Sequence, residues 1–192
     1  MRGPFFTVVI PTIGRPTLGR TLDSIPEGVD VIVVADTFEM DEGTQRMIRC
    51  HALAWGARYY AVDAGRHDTG SPQLAEGYRQ AQGNWIMNLG DDDVYEPHAF
   101  KTIRRAIVND VTTRPLMFRT VLHPAPHRGN ELPVALWATP EITRGRITGQ
   151  CFLTPNDQSK LGEWVDDVTF MQQTVERFGS VAWRTEVISQ CY

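Results

Sequence analysis

From Phe5 to Ile10 the chain reads FFTVVI, apolar except for Thr7, which predicts a buried strand closed by Pro11. A loop with Gly14 and Pro16 follows, and then Leu18, Leu22 and Ile25 fall at helical spacing. Val29 to Ala35 (VDVIVVA) is nearly continuous in β-branched residues, the pattern of a central parallel strand covered on both faces. After a polar stretch from Asp36 to Gly43, Met47, Ile48 and Leu53 predict a second helix, and Ala57 to Val62 a third strand. Ser71-Pro72 reads as an N-cap with proline in the first helical position. Leu74, Tyr78 and Ala81 supply the apolar stripe of that helix, and Gly83 its C′ residue. Asn84 to Leu89 (NWIMNL) is a fourth strand that runs into Gly90-Asp91-Asp92-Asp93. Pro97 then opens a helix with Phe100, Ile103 and Ile107 inward.

The second half is less regular. Leu116 to Leu122, Val134 to Trp137, Gln150 to Leu153 and Val181 to Trp183 read as strands, and His123 to Asn130 as a loop. Val168, Met171, Val175 and Phe178 mark a late helix ended by Gly179. No repeat, low-complexity tract or linker interrupts the chain. The alternation of strands and helices predicts an α/β sandwich with a mainly parallel central sheet. We expect a single domain over 1–192, with a first half to about residue 110 and a second half from about 111. In such sheets ligands bind beyond the carboxyl ends of the strands. The loops after Ile10, Ala35 and Leu89 meet at that edge and bring together Thr12 and Arg15, Asp36, and the three aspartates.

Composition narrows the partners. At 42% hydrophobic and 22% charged, the 192 residues can bury a core and are not a disordered chain. A net charge of −4 disfavours nucleic-acid binding through bulk charge. The one basic stretch holds Arg114, Arg119, Arg128, Arg144 and Arg146 with His123 and His127, read as a solvated region with an anionic ligand as the sharper alternative. Three widely spaced cysteines, Cys50, Cys151 and Cys191, form no CxxC pair and suit a reduced, cytoplasmic setting. No signal-peptide pattern and no apolar run of membrane length is found in the sequence.

Three consecutive carboxylates repel one another. Such a turn is solvated, caps a helix, or is neutralised by a cation, and hard oxygen ligands suit Mn²⁺ or Mg²⁺ shared with substrate phosphates. Glu96 is available to cap the helix at Pro97, which leaves the triplet free for another task. Asp166-Asp167 precedes the late helix, where acids commonly cap free N–H groups. Asp36 reads equally as a turn residue after a strand, Thr12 as a loop cap, and Trp164 as a core residue. His98, His123 and His127 are lone histidines, more often not ligands than ligands.

Four segments in order give these residues a further meaning. VVIPTIGRPTLGRTLDSI within residues 7–25, VIVVAD at Val31 to Asp36, WIMNLGDDD at Trp85 to Asp93 and GEWVDDVTFMQQTVERFG at Gly162 to Gly179 resemble the glycosyltransferases of family 2, which have the GT-A fold. The resemblance spans about Phe5 to Gly179. It implies that Pro11 and Thr12 line a nucleobase and ribose pocket, that Arg15 reaches the nucleotide or braces its loop, and that Asp36 bonds the base, usually uracil. It also implies that Asp92 is the best metal ligand, with Asp93 and Asp91 supporting it or touching the sugar. Asp167 then stands in the place of the general base, with Asp166 where the family usually has Glu. Trp164 could stack on an acceptor sugar. The implied activity is metal-dependent, inverting transfer of a sugar from a nucleotide diphosphate donor, a UDP-sugar, to a hydroxyl of a glycan, lipid carrier, protein or nucleic acid.

Three departures bear on that reading. Gly90 stands at the first acid of the family's DxD motif. Leu74 and Ala75 stand where many members have Arg-Asn, a contact Gln73 could replace. The chain ends soon after the late helix, so acceptor surface is expected from the region of His123 to Gly149, from the tail or from another subunit. Gln172-Gln173 with Arg177-Phe178 lacks the spacing of the Gln-x-x-Arg-Trp motif of processive enzymes, which argues for transfer of single sugars. Two other readings compete: a nucleotidyltransferase of related fold, disfavoured because PTIGRPTLGR has too few glycines for a phosphate loop, and a non-catalytic sugar-nucleotide-binding module.

Overall fold

The hydrophobic runs of the first half become four parallel strands. In the computed structural model, described over residues 4–64, 70–110, 113–124, 134–136 and 139–192, β1 (Phe6–Thr12) lies between β2 (Asp30–Asp36) and β4 (Trp85–Asn88), with β3 (Arg58–Val62) outside β2. Val8 pairs with Val31 on one side and Met87 on the other. Helices α1 (Leu18–Asp23), α2 (Glu42–Trp55) and α3 (Ser71–Gln80) make the three connections, and α4 (Ala99–Asn109) follows β4.

The sheet continues through β8 (Phe152–Pro155), β6 (Leu116–Leu122), β9 (Ala182–Cys191) and β5 (Val94–Tyr95), and β7 (Val134–Leu136) pairs with β6. β8 runs antiparallel to β4 and to β6, whereas β9 runs parallel to β6. The sheet separates two apolar layers. Val8, Ile10, Val31 and Val33 point into one with Leu22, Ile48, Phe100 and Ile103. Val9, Ile32 and Val34 point into the other with Leu74, Tyr78 and α5 (Asp167–Phe178), which contributes Phe170 and Met171. This alternation follows from the two-residue period of a strand buried on both faces.

Several local expectations are corrected by packing. The N-cap of α3 is Gly70 at φ 80°, so Ser71 lies inside the helix and its hydroxyl donates to Val165 O at 3.0 Å. Gly83 is not a helix cap. It meets β1, where a Cβ would lie 2.5 Å from Phe6 C and Thr7 N, and its N–H donates to Thr7 Oγ1 at 2.7 Å. Glu96 does not cap α4, whose N-cap is His98; its carboxylate accepts from Gln190 Nε2 at 2.6 Å. Met47 and Leu53 face outward on α2, and Ile48 with Ala52 forms the buried side. Gln150 lies in a 3-10 turn, Gly149–Cys151, ahead of β8. Trp137 and His127 lie outside the described residues. Among the described residues, no helix is long and apolar enough to cross a membrane.

Candidate active site

The turn after β4 is held from two sides. The Asp93 N–H donates to Gly90 O at 3.2 Å and closes the turn. Thr21 Oγ1 on α1 donates to Asp93 O at 2.8 Å, and Arg20 Nη2 to Asp92 O at 2.5 Å. β1 ends at Thr12, whose hydroxyl donates to Asp91 Oδ2 at 2.6 Å and accepts from the N–H of Gly14 at 3.0 Å. One nitrogen of Arg15, Nη1, donates to both Asp91 Oδ1 at 2.9 Å and Asp92 Oδ2 at 2.7 Å. A single cationic group thus already lies between two neighbouring carboxylates, which relieves their repulsion. Asp91 is buried, and Asp92 remains open to the cavity.

Asp93 points the other way. Its carboxylate accepts from Gln150 Nε2 and, at 3.0 Å, from the N–H of Tyr192. Burial raises its pKa, an effect opposed by the Tyr192 N–H and reinforced by the charge of Asp92. This arrangement accounts for Gly90. A Cβ at position 90 would lie 2.5 Å from Asp93 Oδ2, so the Asp93 carboxylate fills the space that a side chain at 90 would enter.

The acids before α5 divide their tasks. Asp166 is the N-cap, accepting from the N–H of Thr169 at 2.9 Å, and those bonds lower its pKa. Asp167 begins the helix and turns to the cavity, where Oδ2 accepts from the N–H of Gly149 at 2.8 Å. Burial raises the Asp167 pKa against the opposing effect of that N–H, and nearby Asp166 raises it further. A Cβ on Gly149 would meet Asn88 Nδ2 at 2.4 Å and Asp167 Oδ1 at 3.1 Å, so the close approach requires glycine.

One cavity of about 480 Å³ joins these groups. Pro11, Thr12, Arg15, Gln73, Asp91, Asp92, Asp93 and Asp167 all line it. Asp36 and Trp164 are not among the described lining residues. Asp36 is fully buried, its Oδ1 accepting from the N–H groups of Phe38 at 3.0 Å and Ala64 at 3.3 Å. Trp164 stacks on Phe170 with ring centroids 3.9 Å apart and meets Tyr78 edge-on. The basic stretch is largely engaged elsewhere: Arg114 pairs with Asp110, Arg144 with Asp166 and Arg146 with Glu141. His98 Nε2 contacts Val187 O at 3.1 Å, and His123 stacks on Tyr192.

Sequence reasoning singled out neither Asn88 nor Gln150, and reached Gly149, Cys191 and Tyr192 only as part of the region to Gly149 and the tail; all five line the cavity. Asn88 follows from alternation, because it is the last residue of a strand that ends at the site. The others arrive on the 3-10 turn and at the end of β9, which extends to Cys191, just before Tyr192, where only Val181 to Trp183 was expected. Cys191 lies beside Asp93, and burial with that neighbouring charge keeps its thiol protonated.

The parallel β3-β2-β1-β4 half-sheet, its mixed extension and the acidic turn at the strand ends define a GT-A-type α/β protein. Structures with the same architecture include S. aureus TarS 1–349 in complex with UDP-GlcNAc, at TM-score 0.73 and 14% identity over 97% of this chain and 58% of that one. TarS 1–349 in another structure gives TM-score 0.70 at 14% identity, with coverages of 97% and 60%. The mannosyltransferase PcManGT from Pyrobaculum calidifontis, in complex with GDP-Man and Mn²⁺, gives TM-score 0.61 at 14% identity, with coverages of 98% and 56%. The chain therefore spans about 60% or less of the length of these proteins. No curated protein sequence matches it. The sequence pattern of "Glycosyl transferase family 2" matches residues 7–115, over half of the 192 residues, and the chain belongs to that family.

Proposed function

We propose that this chain transfers a single sugar from a nucleotide diphosphate sugar, a UDP-sugar, to an acceptor hydroxyl, with inversion and with Asp167 as general base. The observation that carries this reading is that Asp167 and Asp92 line one cavity with Pro11 and Thr12. A base and an anion-handling turn thus face the same space. Membership of the family and the nucleotide-sugar ligands of TarS and PcManGT support it.

The acidic turn fits Mn²⁺ or Mg²⁺. Asp91 and Asp92 already converge on one cationic nitrogen, and their oxygens are the hard donors such ions take. Asp92 is the residue to hold the ion, with Asp91 behind it, and Asp93 fixes the turn from within. Among the described residues no three metal-ligating side chains form a complete set, so donor phosphates would supply further ligands. When bound, the ion neutralises charge on the departing diphosphate as a Lewis acid.

Asp167 accepts the proton of the acceptor hydroxyl as that oxygen bonds to the anomeric carbon. The bond from that carbon to the diphosphate breaks, and its electron pair leaves with the phosphate oxygen. Gly149 N–H holds the Asp167 carboxylate in place, and Arg15 offers a positive charge at the phosphate end of the cavity. In-line attack inverts the anomeric carbon. The acceptor is a hydroxyl of a glycan, lipid carrier, protein or nucleic acid.

The test is a panel of nucleotide-sugars with and without Mn²⁺ or Mg²⁺, followed by thermal shift and by slow hydrolytic release of nucleotide. A metal-dependent shift with a uridine nucleotide and measurable release are expected. Equal binding with and without metal, and no release, would instead identify a non-catalytic sugar-nucleotide-binding module.

A further inference from the structure

The cavity lining carries polar groups that the reaction above leaves unused. Gln73, in the first turn of α3, is 2% exposed, and its Oε1 is buried without a hydrogen-bond partner among the described residues. An amide buried in this way is costly unless something bonds to it. Gln73 lines the cavity beside Leu74 and Gly70, so a ligand in the cavity is positioned to supply that partner.

Asn88 lines the same cavity and is 4% exposed. Its Oδ1 accepts from Tyr78 Oη at 3.1 Å. Burial raises the Tyr78 pKa far out of reach, so the phenol remains a donor and fixes the amide with its nitrogen turned the other way. That nitrogen and Asp167 Oδ1 lie 2.4 Å and 3.1 Å from the point where a Gly149 side chain would begin. The Asn88 donor is therefore beside the proposed base.

Charge decides what these amides can read. The described lining holds four carboxylates, Asp91, Asp92, Asp93 and Asp167, and one cation, Arg15, which is bonded to the first two. Among the described lining residues, Gln73, Asn88, Leu74, Gly70 and Gly149 are neutral, and none besides Arg15 is a cation that could receive an acid. An anionic sugar placed there would meet Asp167 without compensation. Neutral amides, which donate and accept, match hydroxyl groups.

Taking the nucleotide-sugar reading as its basis, we infer that the transferred sugar is an uncharged pyranose whose hydroxyls are read by the Gln73 and Asn88 amides. This moves Gln73 from the nucleotide to the sugar. It also gives the cavity a selectivity against uronic acids that resides in the wall rather than in the metal turn.

The experiment is calorimetric titration of the purified protein, with Mn²⁺ present, by UDP, UDP-glucose and UDP-glucuronate. The two sugars differ only in the carboxylate at C6. UDP-glucose should bind about tenfold more tightly than UDP, and UDP-glucuronate no more tightly than UDP. Gln73→Leu should remove the gain from glucose and leave UDP affinity as it was. If UDP-glucuronate binds as well as UDP-glucose, or if Gln73→Leu weakens UDP and UDP-glucose equally, the inference is overturned while the nucleotide reading stands. If neither UDP nor either sugar binds, both readings fall. The comparison of the two sugars on the unaltered protein needs no variant to fold.

Discussion

The N–H of Gly149 donates to Asp167 Oδ2 at 2.8 Å, across 18 residues of chain, and so fixes the carboxylate at the cavity wall. Asp166, its neighbour in sequence, is occupied in capping α5. Two adjacent acids of the same type thus have different work, set by which N–H group each reaches.

Gly149→Ala should damage catalysis more than stability. The new methyl would press on Asn88 Nδ2 and Asp167 Oδ1. A displacement of the base by about 1 Å is expected to lower kcat by roughly 10²-fold, while overpacking costs about 1–3 kcal/mol. Steady-state kinetics and chemical denaturation on the same protein check both. Unchanged kcat would mean that Gly149 does not position Asp167.

Asp167→Asn should retain UDP-sugar binding and lower transfer by about 10²–10⁴-fold. In the unaltered protein kcat should rise with pH through a group above the ordinary carboxylate value of 3.8, because burial penalises the Asp167 charge. The same shift affects stability. A folded-state pKa above the unfolded one contributes stability that is complete below 3.8 and is lost as pH rises through the folded value. The neutral Asn variant should therefore gain in relative stability between pH 4 and pH 7, read by urea denaturation at both. Normal transfer by this variant would remove Asp167 as the base.

Asp92→Ala should abolish the metal-dependent part of the thermal shift given by UDP. Its carboxylate is open to the cavity and shares Arg15 with Asp91. The fold should persist, since Asp92 O, not its side chain, holds Arg20. A full Mn²⁺-dependent shift in this variant would place the ion elsewhere.

Gly90→Asp restores the acid that the family pattern carries at this position, yet it should harm this protein. The added Cβ would lie 2.5 Å from Asp93 Oδ2 and 3.1 Å from Asp92 Oδ1. A cost of about 1–3 kcal/mol from overpacking is expected, with like-charge repulsion added to it. Equilibrium denaturation checks the stability, and UDP titration with Mn²⁺ checks the site. A variant as stable as the original with tighter metal-dependent binding would refute the idea that Asp93 occupies that space.

Local pattern determined the order of strands and helices in the first half, though not their caps or every buried face. Runs such as VDVIVVA, short and β-branched, suit a strand covered on both faces, and the helical spacing of Phe100 and Ile103 suits a helix lying on the sheet. Strand order then brought Thr12, Arg15 and the Asp91 to Asp93 turn to one edge, because parallel strands joined by helices end on the same side. Tertiary structure decided the rest. That Trp164 would meet Tyr78, and Asp36 the N–H of Ala64, depended on neighbours far away in sequence. Gly149 and Gln150 reach the cavity just ahead of β8, antiparallel to β4, and Cys191 and Tyr192 reach it from the end of β9. No periodicity marks such residues, since a side chain's period reports which face of its own element is buried and carries no information about which distant element returns to meet it.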